Sequence, residues 1–154
     1  MKITTLFIAI CFVLCSCKHQ EKQEKISDVE AVMQQTPAKE KTCYAYSKDG
    51  NIVKLSMYIN DDKKASGSLF ISYKEKDANE GILTGNIHQD TLLINYKFKA
   101  EGRTSQRDMI FLFKGDQLIE GYGPMNPDGA SFEDISKVKF TSKMPLTKVN
   151  CRDQ

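Results

Sequence analysis

The chain contains no tryptophan and only two histidines, His19 and His88, of which His88 alone falls in the part that reads as folded. An active site built on imidazole is short of material, and no GxSxG, HExxH or phosphate-loop pattern replaces it. No CxxC pair is present, which argues against a zinc site or a dithiol redox centre. No apolar run reaches the roughly 20 residues that a membrane-spanning helix needs. Neither sign of charge dominates, with 22 basic side chains against 20 acidic ones, and Lys alternates with Glu and Asp at short range. Without a basic stripe interleaved with aromatics, the chain lacks the electrostatic footprint of a nucleic-acid binder. These absences lead to the expectation of a non-enzymatic protein with no cofactor, no metal and no nucleic-acid partner.

What is present begins at the N-terminus. One basic residue, Lys2, precedes an apolar stretch that ends in Leu14-Cys15-Ser16-Cys17. This is the layout of an export signal, and the charged residues from Lys18 onward disfavour a permanent span. An aliphatic residue three places before a cysteine and a small residue just before it resemble a bacterial lipobox. On that resemblance residues 1–16 form the signal peptide and Cys17 becomes the acylated first residue of the mature protein, carrying palmitate-type chains. Several acyl chains on one cysteine exceed the threshold for stable anchoring. The alternative, an ordinary secretory signal, would leave an unpaired thiol at the new N-terminus. Lys18, rather than an aspartate, follows the cysteine, which points to the outer membrane. Orientation toward periplasm or cell surface is left open.

Cysteine arithmetic agrees with this division. Of five cysteines, Cys11 and Cys15 leave with the signal and Cys17 takes lipid, so Cys43 and Cys151 remain. In an oxidising compartment an even remainder reads as one disulfide, here clasping the first strand to the last. Removal of the signal takes away only Lys2, leaving 21 basic side chains against 20 acidic.

Residues 17–41 are the lipidated cysteine and a tether rich in Lys, Glu and Gln, without aromatics. If flexible, the tether reaches about 25 to 30 Å from the membrane. Ser27 and Glu30 form a capping box ahead of Val32 and Met33, a pattern for a short helix, although isolated helices of this length are marginal in water.

From Thr42 the period of apolar residues changes to two, and residues 42–154 read as one all-β domain of about 110 residues, enough for a single core. Strands are expected at 42–47, then along Val53, Leu55, Met57 and Ile59, along Gly67, Leu69, Ile71 and Tyr73, and along Leu83, Gly85 and Ile87. Further strands are expected at 91–100, 105–114 and 117–123, with both faces covered in 105–114. Asp49-Gly50, Gln89-Asp90 and Gly115-Asp116 are turn signals, and the two prolines in 124–129 mark a loop. A brief helical turn at 131–136 and one or two closing strands at 138–141 and 146–151 complete the count. Eight or nine sequential antiparallel strands form a meander, and closure would remove its exposed edges. A lipocalin-like or otherwise small up-and-down barrel is therefore preferred to an open sandwich. Gly67, Gly85 and Gly121 fit the bends of a small barrel or the bulges of a sandwich.

The run DTLLINYKFKAEGRTSQRDMIFLFKGDQLIEGYG at 90–123 resembles the centre of a family of small lipoproteins of Bacteroidota. The matching positions are Asp90, Tyr96, Phe98, Glu101, Gly102, Arg107, Asp108, Glu120, Gly121, Tyr122 and Gly123, together with the lipobox, the Cys43-Tyr44 start and Cys151. The family has no established activity, so the resemblance implies the lipid anchor and supplies no mechanism.

By parity Arg107 shares the face of Met109 and Phe111, and Glu120 that of Leu118 and Tyr122. If those faces point inward, a guanidinium and a carboxylate enter the barrel, and such groups must pair. Glu120 or Glu101 is the expected counter-charge. The cluster reads either as a charge pair that fixes strand register or plugs the barrel end, or, with Tyr96 and Tyr122, as the polar floor of a ligand pocket. The functional expectation is an envelope binding or interaction module, whose partner is a protein or a glycan. The alternative is a carrier of a small apolar ligand inside the barrel. The anchor has a direct test: radiolabelled palmitate is expected to enter the polypeptide in growing bacteria and to be lost in Cys17→Ser, and incorporation that survives this substitution would refute the assignment.

Overall fold

The alternating pattern resolves into eight strands: β1 (Lys41–Lys48), β2 (Asn51–Ile59), β3 (Lys64–Ser72), β4 (Asn79–His88), β5 (Thr91–Ala100), β6 (Arg103–Lys114), β7 (Gln117–Gly121) and β8 (Leu146–Val149). The structure, a computed structural model, describes residues 40–100 and 102–153. The expected signal peptide, Cys17, the tether up to residue 39 with its short helical pattern, and Glu101 lie outside the described residues, whereas Lys41, expected as the last tether residue, opens β1. Each strand pairs antiparallel with the next, and β8 returns to β1 through Cys43↔Val149, Tyr44↔Lys148 and Ala45↔Thr147. The result is a closed eight-stranded up-and-down barrel, as the meander pattern predicts.

Tight turns account for much of the register. Lys48 pairs with Asn51 across a two-residue turn in which Asp49 (φ 54°) and Gly50 (φ 80°) both adopt the left-handed conformation. That handedness matches the twist of the flanking strands. Two-residue turns also join β4 to β5 at Gln89-Asp90 and β6 to β7 at Gly115-Asp116, and the β5–β6 ladder runs to the pair Ala100↔Arg103.

Inward positions carry the core: Leu55, Met57, Leu69, Ile71, Leu83, Leu92, Ile94, Tyr96, Phe111 and Leu118 are all nearly inaccessible to solvent. Each apolar side chain so buried contributes about 1.5–3 kcal/mol. Tyr96 stacks on Phe98 with ring centroids 4.8 Å apart, and its hydroxyl donates to the Leu69 carbonyl at 2.9 Å. β6 is covered on both faces. Met109 and Phe111 point inward, while Ile110 faces outward and is still only 2% exposed. Its register partner Gly121 explains the outer cover: a Cβ there would lie 2.5 Å from Val138 Cγ1 and 2.9 Å from Phe140 Cδ1, so residues 138–140 pack directly on the strand.

Three expectations need correction. Residues 138–141 do not form a strand; Lys139 makes a single bridge to Tyr122, and the backbone turns as Thr141 N–H donates to the Lys139 carbonyl. The strand expected at 117–123 ends at Gly121. The helical turn expected at 131–136 is a 3-10 helix at Ile135–Lys137, capped by the Asp134 carboxylate, which accepts from Ser136 N–H at 2.9 Å.

Gly67 shows why this barrel needs glycine. It is the register partner of Met57, and a Cβ built on it would come within 1.9 Å of the Ser56 carbonyl oxygen, a backbone atom that cannot swing aside. The sheet is curled too tightly there for any side chain. Gly67→Ala is expected to lose on the order of 3 kcal/mol or more of stability through overpacking. Urea unfolding checks this; a loss below about 1 kcal/mol would show that the strands separate without cost.

Candidate functional site

An antiparallel meander sorts its connections between two ends. The chain enters β1 and leaves β8 at one end, where the Cys43–Cys151 disulfide joins them with Cα atoms 5.2 Å apart. The turns β1–β2, β3–β4 and β5–β6, and the long connection 122–145, lie at the other.

The long connection is organised by local hydrogen bonds. Residues 124–133 fold into a hairpin bridged by Met125↔Phe132, with Asn126 N–H donating to the Ser131 carbonyl and Glu133 N–H to the Pro124 carbonyl. Asp108 N–H on β6 donates to the Ala130 carbonyl at 2.7 Å and pins the hairpin to the barrel. A further bond, from Ser142 N–H to the Glu120 carbonyl, holds the returning segment against β7. Between the hairpin and the barrel lies a cleft of about 220 Å³, lined by Arg107, Asp108, Met109, Glu120, Tyr122, Met125 and Phe132 among others.

Three of the residues singled out from sequence meet here: Arg107, Glu120 and Tyr122. Arg107 extends from β6 with its guanidinium carbon 5.7 Å from the Phe98 ring centroid. That distance places the cation within reach of the negative face of the ring. Its Nε is buried and has no hydrogen-bond partner among the described residues. The Glu120 carboxylate does not form an ion pair with it; among the described residues the ion pairs within 4.0 Å are Lys74–Glu75 and Lys137–Asp134. Instead the Tyr122 hydroxyl donates to Glu120 Oε2 at 3.1 Å and lies 3.2 Å from Ser142 Oγ. Tyr122 is 46% exposed, since the strand parity that would have turned it inward stops at Gly121. Tyr96 lies outside the cleft, with its hydroxyl already committed to Leu69. Glu101 is outside the described residues.

The electrostatics follow from burial. Desolvation raises the Glu120 pKa above its ordinary value of 4.5, against the opposing effects of the Tyr122 hydrogen bond and the Arg107 charge. Burial likewise pushes Tyr122 up to about 12, with Glu120 adding to the shift and Ser142 opposing it. Tyr73, at the start of the β3–β4 connection, is raised first by burial, then by Glu120, and lowered by Arg107, so all three groups share one field. Sequence reasoning missed Tyr73, Ser142, Met125 and Phe132 as members of this end. No local signal marks them, because the long connection delivers three of the four.

Other grooves offer less chemistry. The larger one, about 480 Å³, runs along the outer face past Ser66, Thr84, Asn86 and Asn95, and its Asp108 carboxylate already accepts from Asn95 Nδ2 at 3.1 Å. His88 is exposed at the end of β4. Among the described residues no three metal-ligating side chains gather. Comparison with protein-family models, with curated proteins and with solved structures finds no match.

Glu120 gives a test with a definite sign. A carboxyl whose pKa is raised by folding contributes stability that is complete below its unfolded value, near 4.5, and lost as pH rises through the folded value. Glu120→Gln keeps an oxygen for the Tyr122 hydroxyl and removes the charge. It is expected to match the parent protein in Tm near pH 4 and to exceed it increasingly toward neutrality. A Tm difference that does not vary with pH would show that burial of this carboxylate carries no cost.

Proposed function

We propose that the protein is a lipid-anchored binding module of the cell envelope, tethered through acylated Cys17 to the outer membrane. It presents to its ligand or partner the barrel end formed by 122–145 and the three odd-numbered turns. The observation that carries this reading is Arg107, one of the residues that line the cleft at that end, whose buried Nε has no acceptor among the described residues. Leaving a buried donor unmatched costs about 1–3 kcal/mol, a penalty that a bound acceptor removes. Topology supports the orientation: the chain reaches β1 at the opposite end, so an anchor upstream of Lys41 leaves the cleft unobstructed by the point of attachment. Likeness to the Bacteroidota lipoproteins belongs to the same proposal and concerns the anchor alone.

The alternative, a carrier with an apolar ligand in its lumen, finds less support. An eight-stranded barrel is about wide enough either to be filled by its own side chains or to hold one small molecule. Here Leu55, Leu69, Leu92, Tyr96 and Phe111 occupy the interior and are inaccessible or nearly so. Native mass spectrometry of protein extracted from membranes in mild detergent separates the two. The binding-module reading expects the mass of the acylated polypeptide with no stoichiometric apolar molecule inside, whereas a lipid retained one-to-one would sink it in favour of the carrier.

A further inference from the structure

Two opposite charges line one small cleft without pairing with each other. Arg107 comes from β6 and Glu120 from β7, and the Tyr122 hydroxyl holds the carboxylate at 3.1 Å, while among the described residues no ion pair within 4.0 Å reaches Arg107. Pairing would satisfy both groups at once, and an uncompensated buried charge is expensive. The arrangement suits a third body that carries the complementary pattern. A guanidinium with unused donors takes a carboxylate, often through two parallel bonds. A carboxylate with lone pairs left over takes an ammonium. The remaining lining is apolar or small, with Met109, Met125 and Phe132 around Gly121, Gly123 and Gly129, and the cleft holds about 220 Å³. Asp108 also lines it, but one of its oxygens is engaged by Asn95. A space of that size accepts one compact molecule.

We infer that the cleft binds a small zwitterion of the α-amino-acid class, its carboxylate on the Arg107 guanidinium, its ammonium on Glu120, and its side chain against Met125 and Phe132. This rests on the reading of the 122–145 end as the binding end. The hairpin 124–133 supplies the apolar wall, so the site exists only while the Asp108 N–H to Ala130 carbonyl bond keeps the hairpin docked.

The test is titration of the full mature lipoprotein in detergent micelles with glycine, alanine, serine and methionine, followed by calorimetry and by the Arg107 Nε–H resonance in nitrogen–proton correlation spectra. Saturable binding with Kd below about 1 mM is expected for at least one of them, together with a shift of that resonance. N-acetylation or carboxyl amidation of the ligand is expected to weaken binding at least about tenfold each, as are Arg107→Gln and Glu120→Gln, where tenfold corresponds to 1.4 kcal/mol. Should Arg107→Gln fail to fold, Glu120→Gln and the two ligand analogues carry the test alone. Equal binding of the N-acetylated ligand would overturn the ammonium contact and with it the inference. If only simple carboxylates or sugars move the Nε resonance, the zwitterion is wrong while the binding end stands. If no small molecule moves it, the zwitterion inference falls, while the binding-module reading, whose partner is a protein or a glycan, stands.

Discussion

Everything in this fold depends on β8 finding β1. β8 is only four residues long, and it contributes two ladder pairs to β7 and three to β1. Without them β1 and β7 would both be open edges, and the inward-facing residues of the remaining seven strands would line a trough instead of a lumen. The Cys43–Cys151 disulfide sits at this weakest seam and links residues 108 apart in sequence. In the chain-entropy model a loop of that size is worth about 4–5 kcal/mol, an upper figure because residual structure in the unfolded chain reduces it. A covalent bond thus stands in for the hydrogen bonds that a short last strand cannot supply.

Closure also creates the chemistry. Arg107 and Glu120 share the inward face by strand alternation, Arg107 opposite Tyr96 of β5 and Glu120 one residue before the end of β7. The 122–145 connection then does two separate things. Its second half lays Val138 and Phe140 on the outer face of β7, which Gly121 and Gly123 permit by having no side chain. The first half, the hairpin, closes one wall of the cleft. The glycines of the Glu120-Gly121-Tyr122-Gly123 motif therefore serve packing, while its glutamate and tyrosine face the cleft.

Much of this was legible in the chain. The strand expected at 91–100 has those bounds, the turns at Asp49-Gly50 and Gly115-Asp116 fall where glycine demands them, and the expected disulfide joins Cys43 to Cys151. What failed to read did so for identifiable reasons. Val138 and Phe140 alternate as in a strand, but their alternation serves contact with the outer face of another strand. Tyr122 kept its parity on paper past the point where β7 ends. The expectation that Arg107 must find a carboxylate is sound as energetics, yet it could not foresee that the Tyr122 hydroxyl would claim Glu120 first. Met125 and Phe132 carry no periodicity that places them at the barrel end; their position is set by a loop hydrogen bond to Asp108.

The disulfide has a mechanical meaning as well. Any tension delivered along the polypeptide from upstream arrives at Lys41 and Thr42, and those two residues can be unzipped from Tyr58 and Met57 before the load meets Cys43. Beyond that point the force is shared with the C-terminal strand through a sulfur–sulfur bond, so β1 cannot be peeled away by itself. A barrel pulled from its N-terminal side would therefore hold its shape until the whole β1–β8 seam sheared at once.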